Sequence, residues 1–88
     1  MTDVRAALLH SLTRWVTDEL LEGEGDDLRA DTPLLELGVL NSFEVGRMLA
    51  FLEREHGVRV PPAAIGPANL ATLDAICDMI VALRAAAP

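Results

Sequence analysis

Apolar residues recur along this chain at helical spacing, and polar or glycine-rich stretches separate them. In three segments, residues 2–22, 41–56 and 72–85, apolar positions follow one another in steps of three and four, which places them on one helical face. The core positions predicted in this way are Val4, Leu8, Leu12, Trp15, Val16, Leu20, Val45, Met48, Leu49, Leu52, Leu73, Ile76, Cys77, Ile80 and Leu83. The pattern indicates three main helices and no β-sheet.

The connections between these segments differ in length and kind. Residues 23–40 begin with two glycines among acidic residues, which favours a long loop, and the leucines later in this stretch can pin the loop to the core. The second connection contains a Pro-Pro pair that cannot donate backbone hydrogen bonds to a sheet, and it allows one short helix at residues 62–66. We therefore expect one all-α domain over residues 1–88, a small four-helix bundle of three main helices and one short helix.

The start of the second helix carries a strong capping signal. Asn41 can accept a hydrogen bond from a free backbone N–H, and Glu44, three residues on, can reach back as in a capping box. Gly57 suits the C-terminal cap. Ser42 then lies in the first helical turn, just after an exposed loop.

The charge balance limits the classes of partner. The formal net charge is −7, and all seven basic residues are arginines. Such a surface repels the phosphate backbone of a nucleic acid, so we expect no nucleic-acid partner. Proteins with basic patches are the favoured partners, because complementary charge speeds encounter. The alternative is that the acidity selects no partner and only keeps the domain in solution.

Export and membrane signals are absent from the sequence. No stretch approaches the roughly 20 apolar residues of a membrane-spanning helix. The N-terminal residues lack the basic segment and apolar run of a secretory signal. We therefore expect a cytoplasmic protein that does not bind membranes.

The residue types that could support catalysis or metal binding do not form a recognisable set. The single Cys77 cannot form an internal disulfide, and with two distant histidines it makes no metal site, so we predict a buried structural thiol. Ser42 and His56 lie at opposite ends of one predicted helix, about 20 Å apart, and cannot form a triad. His56 is expected to pack against the bundle and His10 to lie on the surface. We expect no intrinsic catalysis and no metal.

The segment Leu37-Gly38-Val39-Leu40-Asn41-Ser42-Phe43 resembles the phosphopantetheine-attachment motif of acyl and peptidyl carrier proteins. The family form is Gly, an aliphatic pair, and Asp-Ser-Leu, so Asn41 stands in place of Asp and Phe43 in place of Leu. The resemblance covers nearly the whole chain. Its other matching features are Asp31-Thr32-Pro33-Leu34, the helix after Ser42, Glu53-Arg54-Glu55-His56-Gly57-Val58, Pro61 and the stretch from Asn69 to Ile76.

This resemblance implies a covalent cofactor and a set of partners. A phosphopantetheinyl transferase would move 4′-phosphopantetheine from coenzyme A to Ser42, and the terminal thiol would bear an acyl or aminoacyl group as a thioester. A cargo-loading adenylating enzyme or acyltransferase would act before the carrier, and a downstream acyltransferase or synthase after it. The carrier itself is expected to be a monomer. On the second helix, the residues that such partners would read are Asn41, Phe43, Glu44, Gly46, Arg47 and Ala50.

Three functions remain open from the sequence. The stretch from Ile65 to Leu70 resembles free-standing carriers of polyketide and mixed polyketide–peptide pathways, which favours an acyl carrier of a secondary-metabolite assembly line, antibiotic biosynthesis included. The alternatives are an aminoacyl or peptidyl carrier of a nonribosomal peptide-type pathway and an unmodified helical interaction module. The module would have kept the fold and lost the arm, and Asn41 in place of Asp would be the sign of that loss. Arg47 occupies a position where relatives commonly carry Glu, which can select particular partners. The alternative for this face of the second helix is that its residues are only solvated positions, with Phe43 half-buried, and contact no partner.

Overall fold

Helices account for all the regular secondary structure in the computed structural model, which describes residues 3–86. No β-strand occurs in that range, so the predicted all-α bundle is confirmed. Thr2, the first residue of the predicted first helix, lies outside the described residues. In chain order the elements are α1 (Val4–Glu19), α2 (Ser42–His56), a 3-10 turn (Pro62–Ala64), α3 (Pro67–Leu70) and α4 (Leu73–Ala86).

The short helical segments differ from the sequence prediction. The predicted helix at 62–66 is only a three-residue 3-10 turn, Pro62–Ala64, and a separate turn of α-helix forms at Pro67–Leu70. The sequence predicts that Gly66 and Pro67 end the short helix. In the structure Pro67 occupies the first helical position, where its missing N–H costs nothing, and the buried Leu70 anchors the turn.

Side chains and one glycine fix the ends of the longer helices. The Asp3 carboxylate accepts a hydrogen bond from Ala6 N–H at the start of α1, and the Thr72 hydroxyl oxygen accepts one from Ala75 N–H at 3.0 Å at the start of α4. Gly57 ends α2 with φ +64°, a left-handed conformation that favours glycine. The helix boundaries therefore follow from local capping chemistry.

Helices α1 and α2 pack antiparallel. Three side-chain pairs between them show this, because the residue number falls along α1 as it rises along α2. Arg47 contacts Glu19, the Phe51 ring stacks on Trp15 with centroids 5.4 Å apart, and His56 is hydrogen-bonded to Ser11. Helix α4 packs on both α1 and α3. The N-terminus of α1 and the C-terminus of α2 therefore share the end of the bundle that lies opposite Ser42.

The core matches most of the predicted apolar positions, with differences in both directions. Val4 is 53% exposed, so its predicted place in the core is wrong: it lies in the first turn of α1, at the edge of the bundle. Phe51 and Met79 are buried although the three- and four-residue spacing did not select them. Phe51 is drawn inward because its ring stacks on Trp15. The fully buried residues include Leu12, Val16, Leu34, Met48, Leu52, Leu73, Ile76, Cys77 and Ile80.

The long loop between α1 and α2 is held against the bundle, as predicted, but Leu37 is 63% exposed and is not one of its anchors. Leu34 and Leu40 are buried, and Leu34 N–H donates a 2.8 Å hydrogen bond to the Ala71 carbonyl. Asp74 N–H in turn donates to the Ala30 carbonyl at 3.0 Å. The loop is thereby fixed to the start of α4, and its last residues lead into α2 from a defined position.

Candidate functional site

Ser42 is the first residue of α2 and is exposed to solvent. Asn41 precedes it in extended conformation, and its Oδ1 accepts a hydrogen bond from Glu44 N–H at 3.0 Å. The cap holds the first turn in place and leaves the Ser42 hydroxyl beside the helix N-terminus, where partial positive charge collects. A phosphate ester is favoured at such a position.

Only one half of the predicted capping box forms. The Glu44 carboxylate does not return to the Asn41 backbone; its Oε2 instead accepts a hydrogen bond from the Arg47 guanidinium at 2.9 Å. A charged donor one helical turn away is a stronger partner than a neutral backbone N–H. The Glu44 side chain is consequently only 16% exposed.

Arg47 joins α2 to the C-terminal end of α1. Besides Glu44 it pairs with Glu19 at 2.9 Å, and its guanidinium carbon lies 5.8 Å from the centroid of the Trp15 ring. Two carboxylates and one aromatic face therefore already engage its charge within the molecule. Arg47 and Glu44 stabilise the packing of α2 on α1 before any partner binds.

A surface groove of about 540 Å³ begins at Ser42 and runs towards α3. None of its lining residues is charged, although charged residues make up 24% of the chain. The only polar side chains among them are those of Asn41 and Ser42. The lining residues are Leu35, Gly38, Leu40, Asn41, Ser42, Val45, Ile65, Gly66, Pro67 and Leu70.

Large apolar side chains are exposed around this groove. Phe43 is 73% exposed and follows Ser42, Leu37 is 63% exposed and precedes Gly38 of the groove, and Ile65 lines the groove with 40% exposure. Of these three residues, only Phe43 is predicted from the sequence as a partner contact. Leu37 could have been found because it lies inside the motif; Ile65 could not, since only the fold brings it to Ser42.

The small residues of the predicted recognition face are open to solvent. Gly46 and Ala50 are both exposed on α2, and a Cβ added to Gly46 would meet no atom within 4 Å. Of the six residues predicted to contact partners, Phe43, Gly46 and Ala50 are thus free on the surface. Asn41 caps α2, and Glu44 and Arg47 form the ion pairs described above.

The chain contains two serines, and their surroundings differ. Ser11 is part-buried, and its hydroxyl is hydrogen-bonded to His56 Nε2 at 2.9 Å. His56 also lies edge-on to Phe51, with centroids 5.6 Å apart, so it packs against the bundle as predicted. Ser42 is exposed at the opposite end of α2 from His56. Of the two hydroxyls, that of Ser42 is the accessible one.

The remaining candidates for reactivity lie away from Ser42. Cys77 is fully buried in α4, and burial raises the pKa of its thiol to about 11, which makes it a poor nucleophile. Within residues 3–86 no group of three or more His, Cys, Asp or Glu side chains could hold a metal ion. None of the helices in that range is long and apolar enough to cross a membrane.

A small all-α bundle that presents one accessible serine at a helix N-terminus, beside an uncharged groove, has the architecture of a carrier domain. The family model described as "Phosphopantetheine attachment site" matches residues 14–80. The chain is also 32% identical over 74 residues to the probable acyl carrier protein PigG of Serratia sp. (strain ATCC 39006), covering 84% of this chain and 85% of PigG.

A solved structure contains a chain of similar fold. One chain of a structure described as the crystal structure of FAD-dependent dehydrogenase aligns with a TM-score of 0.75 and 36% identity, covering 80% of this chain and 99% of that chain. The family model and the similarity to PigG show that the protein belongs to the phosphopantetheine-binding carrier protein family, whose members bear a covalently attached 4′-phosphopantetheine. The exposed hydroxyl, the helix N-terminus and the uncharged groove fit such a group.

Family membership also defines the general mode of action. Carriers of this family generally work with a phosphopantetheinyl transferase and with biosynthetic enzymes, and the family is a carrier domain that is generally non-catalytic. The cofactor supplies a terminal thiol on which cargo is held. The protein supplies the attachment point and the surface that the enzymes contact.

Proposed function

We propose that Ser42 bears the 4′-phosphopantetheine arm and that the protein is a free-standing carrier of an acyl or aminoacyl group held as a thioester. The observation that carries this proposal is the exposed Ser42 hydroxyl at the capped N-terminus of α2, in contrast to the hydrogen-bonded Ser11. Asn41 caps the helix as well as Asp would, so replacing the usual Asp retains the local geometry. The carrier itself performs no catalysis.

The proposed setting is a secondary-metabolite assembly line of polyketide type, antibiotic pathways included. Similarity to the probable acyl carrier protein PigG supports the acyl form. An aminoacyl or peptidyl carrier of a nonribosomal peptide-type pathway is the alternative within the same family. We further propose a monomer that works in the cytoplasm, where coenzyme A is available, without a nucleic-acid partner.

The proposed partners are a phosphopantetheinyl transferase, an adenylating enzyme or acyltransferase that loads the cargo, and a downstream acyltransferase or synthase. We also propose a flavin dehydrogenase as a partner, which the similarity to one chain of a structure described as that of an FAD-dependent dehydrogenase supports. Such an enzyme would oxidise the carrier-bound cargo by two electrons, and FAD would accept the two hydrogens. Phe43, Gly46 and Ala50 are the proposed contact residues, together with Asn41, while Glu44 and Arg47 support the helix that presents them.

The experiment that tests this proposal is measurement of intact mass after incubation with coenzyme A and a broad-specificity phosphopantetheinyl transferase. The wild type and Ser11→Ala are expected to gain one phosphopantetheine each, and Ser42→Ala none. Holo-protein is then incubated with adenylating enzymes and with acyltransferases of known substrate. The class of enzyme that forms a hydroxylamine-labile adduct on the protein shows whether the cargo is aminoacyl or acyl. A wild type that gains no mass with several transferases would favour the unmodified interaction module.

A further inference from the structure

The surface around Ser42 is uncharged and apolar, although the chain as a whole is acidic. An overall charge of −7 favours partners with basic patches, yet the groove beside Ser42 has no charged lining residue. Three of the five large apolar side chains that are most exposed, Leu37, Phe43 and Ile65, lie in or next to that groove. Single exposed apolar residues are ordinary, but three at one site mark an interaction surface.

The charged residues closest to this surface on α2 are already paired within the molecule. Arg47 contacts Glu19 and Glu44, both at 2.9 Å, and the Glu44 side chain is largely covered. Opening these pairs would leave charges without partners at the interface, which weakens binding instead of supporting it. A partner therefore gains little from placing its own charges against this part of α2.

Gly46 gives a second, independent indication. It lies inside α2, where glycine is less favourable than alanine, and nothing in the protein requires it, because a Cβ there would meet no atom within 4 Å. It is also one helical turn from Ser42, on the same side of α2. A position that the fold leaves open and that lacks a side chain allows another molecule to approach the helix backbone closely.

Attachment of the arm to Ser42 indicates which molecule covers the residues around the groove. Any enzyme that acts on the Ser42 hydroxyl must bring its active site to that atom, and it then covers the neighbouring side chains. We propose that partner enzymes, the transferase first among them, bind this carrier through an uncharged apolar surface formed by Leu37, Phe43 and Ile65, with their own apolar residues packed close to Gly46. The inference rests on the proposed function, since it takes Ser42 as the attachment point.

The test measures kcat/KM for arm attachment by a broad-specificity phosphopantetheinyl transferase at saturating coenzyme A. Phe43→Ala is expected to lower kcat/KM at least about tenfold, because removal of a central aromatic contact has effects of this size. Val81→Ala, an exposed apolar residue near the other end of the bundle, is the matched control and is expected to stay within about threefold. Glu36→Gln, which removes the charge next to Leu37, is expected to behave like that control.

Gly46→Ala separates a binding effect from a folding effect. Its melting temperature is expected to rise by about 2–8 °C, since alanine favours the helix and the added methyl meets nothing in the free protein. Its kcat/KM is nevertheless expected to fall, because the methyl occupies space needed by the enzyme. Loss of activity in a more stable protein cannot come from misfolding.

Salt dependence and oligomeric state complete the test. Between about 50 and 500 mM NaCl the wild-type kcat/KM is expected to change less than threefold, whereas charge-steered association falls steeply over that range. The inference is overturned if Phe43→Ala or Gly46→Ala keeps the wild-type kcat/KM, if salt lowers that value tenfold, or if sedimentation shows that the surface pairs two copies of the chain. A wild type that accepts no arm instead contradicts the proposed function.

Discussion

Replacing the residue before Ser42 tests how the attachment site is built. Asn41→Ala removes the side-chain oxygen that accepts a 3.0 Å hydrogen bond from Glu44 N–H, while the rest of α2 stays intact. Loss of such a cap costs about 1 kcal/mol. For a domain of this length that corresponds to a fall in melting temperature of about 4–8 °C.

Asn41→Asp is the informative companion variant. Aspartate keeps the capping oxygen and adds a negative charge at the helix N-terminus, which contributes about 0.3–1 kcal/mol in isolation. Glu19 and Glu44 lie at the same end of α2 and oppose that gain. The melting temperature of Asn41→Asp is therefore expected within a few degrees of the wild-type value, about 4 °C or less.

Thermal unfolding followed by circular dichroism measures these effects, and the rate of arm attachment is measured on the same samples. Thr72→Ala is the control, because it removes an equivalent 3.0 Å cap from α4, away from Ser42. We expect Asn41→Ala and Thr72→Ala to lose similar stability, but only Asn41→Ala to slow attachment. The account of the site is refuted if Asn41→Ala has the wild-type melting temperature, or if Thr72→Ala slows arm attachment as much as Asn41→Ala does.

Three further predictions concern the bundle. Stability of the apo-protein is expected to be constant up to about pH 9 and to fall by roughly 2–3 kcal/mol as the pH rises through 11, because burial raises the pKa of the folded Cys77 thiol from 9.0 to about 11. The chain has no Lys or Tyr whose titration would mask this fall. Urea titrations of Cys77→Ala should show no such fall. Leu52→Ala should cost about 2–5 kcal/mol in urea unfolding, since the residue is fully buried, whereas exposed Leu37→Ala should cost less than about 0.5 kcal/mol. Arg47→Gln should cost at most about 1 kcal/mol, and 0.5 M NaCl should reduce that difference, because the ion pairs are partly exposed.

The sequence predicts the parts of this fold that depend on local chemistry. Asn41 and Gly57 mark the ends of α2 through a side-chain cap and a left-handed turn, and each does so in the structure. Leu8, Leu12 and Val16 repeat at helical spacing and are buried. Such features depend on residues a few positions apart, which can be compared directly in the sequence.

Features that depend on contacts between elements were not predicted. Phe51 is buried because Trp15 of α1 covers it, and Ile65 reaches the Ser42 groove because α3 folds beside α2. Glu44 turns away from the Asn41 backbone because Arg47 offers a stronger partner. Such pairings depend on tertiary geometry, which helical periodicity does not contain.

The identity of Ser42 as the attachment residue has one direct test. Because all basic residues are arginines, trypsin releases residues 30–47 as a single peptide in which Ser42 is the only serine. After incubation with coenzyme A and a phosphopantetheinyl transferase, tandem mass spectrometry should find one phosphopantetheine on Ser42 of this peptide. A modified peptide containing Ser11, or an unmodified 30–47 peptide from a protein whose total mass has increased, would contradict the account.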